Sequence, residues 1–213
     1  MSRDPLGRVG NRTHDLNTHF PGDAVKQSSR VFLTMLILFF GLSECRCQTL
    51  PAGFQQLLNR TSMSFAVPPG FSAIPVVPND DVAYDYALRS QTMKLEMRYR
   101  ILPVEPASTS DARRKSQLEP MLLAVALNIS GGQEPNATYY PKDAVKSEFG
   151  ADAGATCAVK VSSEFGRGYA LCLISAIHRD GIADAYVFYL CDDLSIAKRV
   201  LATGSIFHAL RFK

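Results

Sequence analysis

His178 and His208 are the two histidines that could act as a base in the body of this chain, and neither has a nucleophile beside it in the sequence. Hydrolysis of the serine–histidine–aspartate kind needs an imidazole within hydrogen-bond reach of a nucleophile, with a carboxylate to orient the ring. Asp180 and Asp184 lie close to His178, so a His178-based site is the arrangement an enzyme would use here. The same residues also read as architecture. Asp180-Gly181 is a short-range hairpin signal, and a histidine beside such a tip is expected at the surface. His208 falls near the end of the last helical pattern, where the helix dipole favours a cation. No Gly-x-Ser-x-Gly elbow is present, and no catalytic residue is assigned.

Cys157, Cys172 and Cys191 each sit in an apolar stretch and are expected as small buried hydrophobes. The sharper alternative is a Cys172–Cys191 disulfide, which would leave Cys157 as an odd thiol. Their spacing is that of neither a zinc ribbon nor a redox pair, and no metal site is assigned. The acidic doublets Asp80-Asp81 and Asp192-Asp193 lack the alternating ligands and central glycine of a calcium loop, so turn and cap roles are expected for both. Gly150-Ala151-Asp152-Ala153-Gly154 has no Gly-Lys-Ser/Thr ending and is no phosphate loop. Ser163 to Gly168 is expected as a hairpin turn. Arg98 and Arg100 share one face of a strand with Lys94 and Glu96. That face is expected to be solvated or salt-bridged, or else to contact an anion or partner, with Arg89 added if neighbouring strands pair. No cofactor is implied.

The elements that must position these residues are legible from periodicity. Phe54, Leu57 and Leu58 have helical spacing within residues 48–62. Ser64 to Phe71 reads as a short strand stopped by Pro68-Pro69-Gly70, and Tyr84 to Arg89 as another. From Lys94 to Val104, Leu95, Met97, Tyr99 and Ile101 alternate with Glu96, Arg98 and Arg100, the pattern of a half-buried antiparallel strand. Residues 105–117 read as a polar loop. A helix opens at Glu119-Pro120 and runs to Ile129, apolar enough to be buried on more than one side. Pro141 to Phe149 is a second helix, ended by Gly150. Thr156–Ser162, Tyr169–His178 and Ala183–Cys191 are strands, the last two forming a hairpin. Asp192-Asp193 then caps a helix expected from Leu194 to Leu210, weakened at Gly204. Hairpins outnumber crossovers, which predicts an α+β class: an antiparallel β-sheet flanked by helices in a single domain.

Ahead of this domain lies the uncharged run Val31 to Leu42, preceded by Arg30. It is too short for a bilayer span, which needs roughly twenty residues, and matches the apolar core of a secretory signal. Residues 25–47 are therefore expected as a signal peptide, with a start at Val25 and cleavage after Cys47. Residues 1–24 are expected to be a spurious extension, because Gly10 to Leu16 resembles a transfer-RNA gene translated backwards. His14, His19, Cys45 and Cys47 then leave consideration, and residues 48–213 remain as the domain. From Gln48 onward 17 Lys and Arg face 16 Asp and Glu, against +3 for the whole chain. Such near-neutrality excludes a nucleic-acid backbone as partner, and no transmembrane segment remains in the mature part.

The chain resembles the PsbP-like fold, an α-β-α sandwich that also includes DcrB-type bacterial envelope proteins. Ser64-Phe65-Ala66-Val67-Pro68-Pro69-Gly70-Phe71 carries the likeness, with Tyr186-Val187-Phe188 in a late strand and the closing Phe207-His208-Ala209-Leu210-Arg211-Phe212. It covers about residues 62–213. The resemblance implies a periplasmic or secreted, non-enzymatic accessory or binding protein of the envelope, without a transferable active site. Its partner would be an envelope protein or a small ligand. An alternative is a carrier with its pocket between the sheet and helix 121–129; a less favoured one is a hydrolase-type enzyme using His178. If the protein binds at a charged surface, Arg98, Arg100, His178 and Asp180 are the candidate residues.

Overall fold

The structure, a computed structural model, describes residues 49–104, 111–132 and 135–213, with no side-chain account of 111–116. The expected extension 1–24, the signal 25–47 and the first part of the polar loop lie outside the described residues. Gln48–Lys213 forms one compact unit.

The elements follow in the order α1 (Ala52–Arg60), β1 (Met63–Phe65), β2 (Phe71–Ala73), β3 (Tyr86–Ser90), β4 (Leu95–Pro103), α2 (Asp111–Ser130), β5 (Ala137–Tyr139), α3 (Lys142–Phe149), β6 (Ala153–Lys160), α4 (Ser163–Gly166), β7 (Leu171–Arg179), β8 (Ala183–Cys191), α5 (Leu194–Ala202), α6 (Gly204–Phe207) and β9 (Leu210–Phe212). Seven strands make one antiparallel sheet in the order β2-β3-β4-β8-β7-β6-β5, while β1 and β9 pair as a separate ribbon. The β7–β8 hairpin turns at Asp180-Gly181, where Gly181 has φ 68°. The long β4–β8 pairing, from Leu95↔Cys191 to Pro103↔Ala183, is no hairpin. It closes over everything from α2 to β7.

Alternation along each strand sends side chains into two cores, one on each sheet face. On one face Tyr86, Leu88, Met97, Tyr99, Val187 and Tyr189 meet Phe54 and Leu58 of α1, Phe149 of α3, Val200 of α5 and Phe207 of α6. On the other, Ala155, Cys157, Ile174, Phe188 and Leu190 meet Leu118, Leu122, Ala126 and Ile129 of α2 and Phe165 of α4. The result is the α+β arrangement expected: one antiparallel sheet between helical layers. No helix among the described residues is long and apolar enough to cross a membrane.

Several elements differ from their sequence pattern. Helix α2 begins at Asp111, not Glu119, so Pro120 lies inside it and the second half of the polar stretch is helical. It buries one face only. Leu122, Ala126 and Ile129 are sealed, whereas Met121 and Leu127 on the far side stay exposed. The segment Ser64 to Phe71 splits into β1 and β2, in different sheets. The closing helix stops at Ala202; after Thr203 the chain makes one more turn and then extends as β9. Long-range pairing outweighs helical periodicity there, since Met63↔Phe212 and Phe65↔Leu210 place Leu210 and Phe212 in the core.

Gly150 ties this ribbon to the body. It ends α3 in the left-handed region at φ 61°, where a glycine is favoured, and a Cβ there would stand 2.8 Å from the Phe212 carbonyl oxygen. Gly150→Ala is expected to lower the unfolding free energy by about 2–3 kcal/mol, combining a strained φ with a clash. Gly131→Ala, at φ 69° with open space around it, is expected to lose only about 1 kcal/mol. Urea titrations of the two variants check the difference.

Candidate functional site

The charged face of β4 is not solvated. Arg98 and Glu96 side chains are only 2% and 4% exposed. Arg98 Nε donates to Glu96 Oε1 at 2.8 Å, and its Nη1 donates to the Phe165 carbonyl oxygen at 2.7 Å. The guanidinium lies 4.6 Å from the Phe165 ring centroid and 5.1 Å from that of Tyr84. Arg89, opposite Glu96 in the β3–β4 register, donates to Glu96 Oε2 at 2.9 Å. Two features place the cover. Residues 163–168 form the short helix α4 with a following turn, capped by Ser162 accepting from Phe165 N. The 78–84 loop comes back over the strand, held by Arg167 donating to the Pro78 carbonyl oxygen. Of the expectations for that face, salt-bridging holds and solvation is corrected: α4 and Tyr84 roof Arg98 and Glu96, and the pair acts as an internal strut. Arg100 lies at its half-buried end, near Asp85. Burial raises the Asp85 carboxyl above its ordinary value, opposed by the Ile101 backbone N–H and Arg100.

His178 is likewise enclosed, with none of its side chain exposed. The surface position expected of a hairpin histidine is therefore corrected. It lies directly opposite Asp184 in the β7–β8 register. Nδ1 is 2.6 Å from Asp184 Oδ1, and Nε2 is 2.8 Å from Asp180 Oδ1. A carboxylate at each ring nitrogen favours the doubly protonated ring, in which both nitrogens donate. Burial lowers its pKa, but hydrogen bonds to Asp184 and Asp180 outweigh burial and the net shift is upward from 6.5. Asp152 extends the cluster by accepting from Asp180 N at 3.0 Å and pairing with Lys146. A ring whose two nitrogens each face a carboxylate has neither nitrogen open to act as a base on a substrate. The nearness of Asp180 and Asp184 to His178 in the sequence holds in space, and strand register is what sets Asp184 directly against the ring.

The remaining candidates are also tied in. His208 caps α6 and its Nε2 lies 2.8 Å from Glu148 Oε2. Cys157, Cys172 and Cys191 are all free and buried. The Cys172–Cys191 disulfide does not form: Leu171, not Cys172, faces Cys191, so their side chains leave opposite faces of the sheet. Burial pushes the Cys157 thiol up to about 12 and raises Cys172 and Cys191 too, which makes them poor nucleophiles. Asp193 caps α5 by accepting from Ser195 and Ile196 N–H, and Asp192 pairs with Lys94 at 2.7 Å. The contact between α2 and the sheet is filled by Leu122, Ala126 and Ile129. A cavity of about 460 Å³ lies instead beside α5, lined by residues including Thr156, Leu171, Leu173 and Leu194.

No family model and no curated protein matches this chain. Among solved structures the chain is similar to cyanobacterial PsbP (CyanoP) from Synechocystis sp. PCC 6803. The likeness has a TM-score of 0.43 at 13% identity, over 72% of this chain and 88% of that one.

Two outcomes follow from the buried charges. Glu96→Gln leaves Arg98 without a buried counter-charge and is expected to lose about 3–5 kcal/mol, whereas the double variant Glu96→Leu, Arg98→Met is expected to lose less than that single change. Denaturant titration of the three proteins reads this order. For His178, stabilisation by the imidazolium is complete below the unfolded pKa of 6.5 and fades as pH rises through the higher folded value. His178→Gln is therefore expected to lose roughly 2 kcal/mol near pH 6, with the gap from the parent narrowing as pH rises above 6.5 through the raised folded value.

Proposed function

We propose that this chain is an exported accessory domain of the bacterial cell envelope that works by binding, not by catalysis. The observation that supports it is His178: the best-placed candidate base has both nitrogens engaged by Asp184 and Asp180 and is sealed from solvent. Its geometry is that of a structural cation. Export is supported by the uncharged Val31 to Leu42 run behind Arg30. Within this reading the cavity beside α5 favours a small ligand over a protein partner, although not at the α2 contact expected from the sequence.

The test is expression of the full chain, tagged at its C-terminus, in a bacterial host, followed by fractionation and sequencing of the mature N-terminus. A periplasmic protein beginning at Gln48 is expected. A chain retained in the cytosol with residues 1–47 intact would contradict export. The same preparation, offered ester, phosphoester and glycoside substrates, is expected to turn over none of them. Turnover abolished by His178→Gln, at a temperature where that variant stays folded, would overturn the non-catalytic reading.

A further inference from the structure

The ribbon of β1 and β9 has an inward and an outward face. Met63, Leu210 and Phe212 turn into the core, so Ser64 and Arg211, directly opposite each other, stand on the outer face. The ladder ends where Ala66 N–H donates to the Ala209 carbonyl oxygen at 2.9 Å. Past that rung Pro68 and Pro69 have no N–H with which to continue it, and the other backbone leads back into the short helix α6. Where the two backbones part lies a cleft of about 320 Å³, at the small end of small-molecule sites. It shares no lining residue with the cavity beside α5.

One wall comes from residues 64–69 and the other from Ser205, His208, Ala209 and Arg211. Among the described residues no carboxylate lines it. Arg211 is exposed, and no hydrogen bond or ion pair among the described residues engages its guanidinium; only its carbonyl oxygen is used, accepting from the Ser64 hydroxyl at 3.3 Å. In this it differs from Arg89, Arg98, Arg167 and Arg179, whose guanidiniums are each spent on a carboxylate or a carbonyl oxygen. The Ser205 hydroxyl is exposed too. Glu148 is spent on His208, whose ring it fixes as part of the wall. A lone exposed arginine is ordinary; this one shares a concave surface with two hydroxyls. The three groups reach it from β1, α6 and β9. A planar carboxylate has its two oxygens used by a guanidinium fork, whereas a tetrahedral oxyanion keeps further oxygens for the hydroxyls.

We propose that this cleft binds a phosphate-type oxyanion, with two of its oxygens on the Arg211 fork and a third on the Ser205 hydroxyl. The small side chains of Ser64, Ala66 and Ala209 leave the space that the anion occupies. This goes beyond the binding function proposed above: the site is a separate part of the surface and stands whether or not the cavity beside α5 takes a ligand. Because binding is measured on purified protein, its failure would leave the export result untouched, and failed export would leave the binding result readable.

The experiment is an amide-resolved nuclear magnetic resonance titration of the ¹⁵N-labelled protein, as processed by its host, at constant ionic strength set with sodium chloride. The probes are inorganic phosphate, glycerol 3-phosphate and acetate. Arg211→Gln and Ser205→Ala alter exposed side chains, and the same spectra show that each variant is folded. Arg199→Gln, exposed on α5 and outside the cleft lining, is the control. Phosphate is expected to shift the Ala66, Ser205 and Arg211 amides and to saturate them with a Kd of about 1–10 mM. Arg211→Gln should weaken that binding about tenfold or more, and Ser205→Ala about threefold. Acetate should bind about tenfold more weakly than phosphate. Arg199→Gln should change none of these. Either order of phosphate and glycerol 3-phosphate supports the class, the tighter one marking free phosphate or a phosphate ester as the source. No saturable phosphate binding, indifference to Arg211→Gln, or an equal loss in Arg199→Gln would overturn the site. Acetate binding as tightly as phosphate would overturn the tetrahedral class.

Discussion

A sheet covered on both faces leaves its central strands no route to water, and most of this structure follows from that constraint. β4, β8 and β7 lie at the centre of seven strands, so any charge on them must find its partner inside the protein or force a cover to fit it. Glu96 and Arg98 have each other, and they draw α4 and the Tyr84 loop over themselves: the guanidinium needs both the Phe165 carbonyl oxygen and the aromatic faces above it. His178 has a carboxylate on each side, one from the facing strand and one from the turn. The hairpin tip is thereby closed by ion pairs instead of apolar packing. Taking either charge away without its partner leaves a buried ion uncompensated, which is the costly case.

What the sequence made legible was local. The alternation in Leu95 to Ile101, the Asp180-Gly181 turn, the Asp193 cap and the proline-to-glycine bounds of α3 all act within a few residues, and each lies where its chemistry puts it. What it concealed was long-range. A two-residue period tells that Arg98 and Glu96 share a face, but not that residues about seventy positions later will cover that face. The same holds for the chain end: Leu210 and Phe212 fit a helical stripe and a strand equally well, and pairing with Met63 to Phe65 decides between them. Register also separates Cys172 from Cys191 by a single residue, enough to put them on opposite sides of the sheet. Pro120 misled in the other direction, because a proline that usually marks a helix start lies within α2.

The two sheet faces differ in how completely they are closed. Over the face that holds His178 and Arg98, α2 and α4 pack against β6, β7 and β8 with their inward residues sealed. Over the other, the aromatic cluster of Phe54, Phe65, Tyr86 and Tyr99 and that of Tyr140, Phe149 and Phe207 fill the space toward β4 and α3, and the helical cover ends before the outer strands. Charged residues therefore lie mostly where the fold consumes them. The unfilled concave surface lies where charge is sparse and apolar side chains remain uncovered. The residues first suggested by their chemistry and the place best shaped for a ligand are different parts of the molecule.

The central claim is that the ionisable groups of the sheet are structural, and His178 is where it is most exposed to test. Nitrogen-detected nuclear magnetic resonance of the imidazole in ¹⁵N-labelled protein reads the state of each ring nitrogen directly. The account predicts that His178 shows two protonated nitrogens, both protected from rapid exchange, and that this state persists above its ordinary pKa of 6.5. A neutral ring at about pH 6, or one with a nitrogen exchanging freely with solvent, would contradict it.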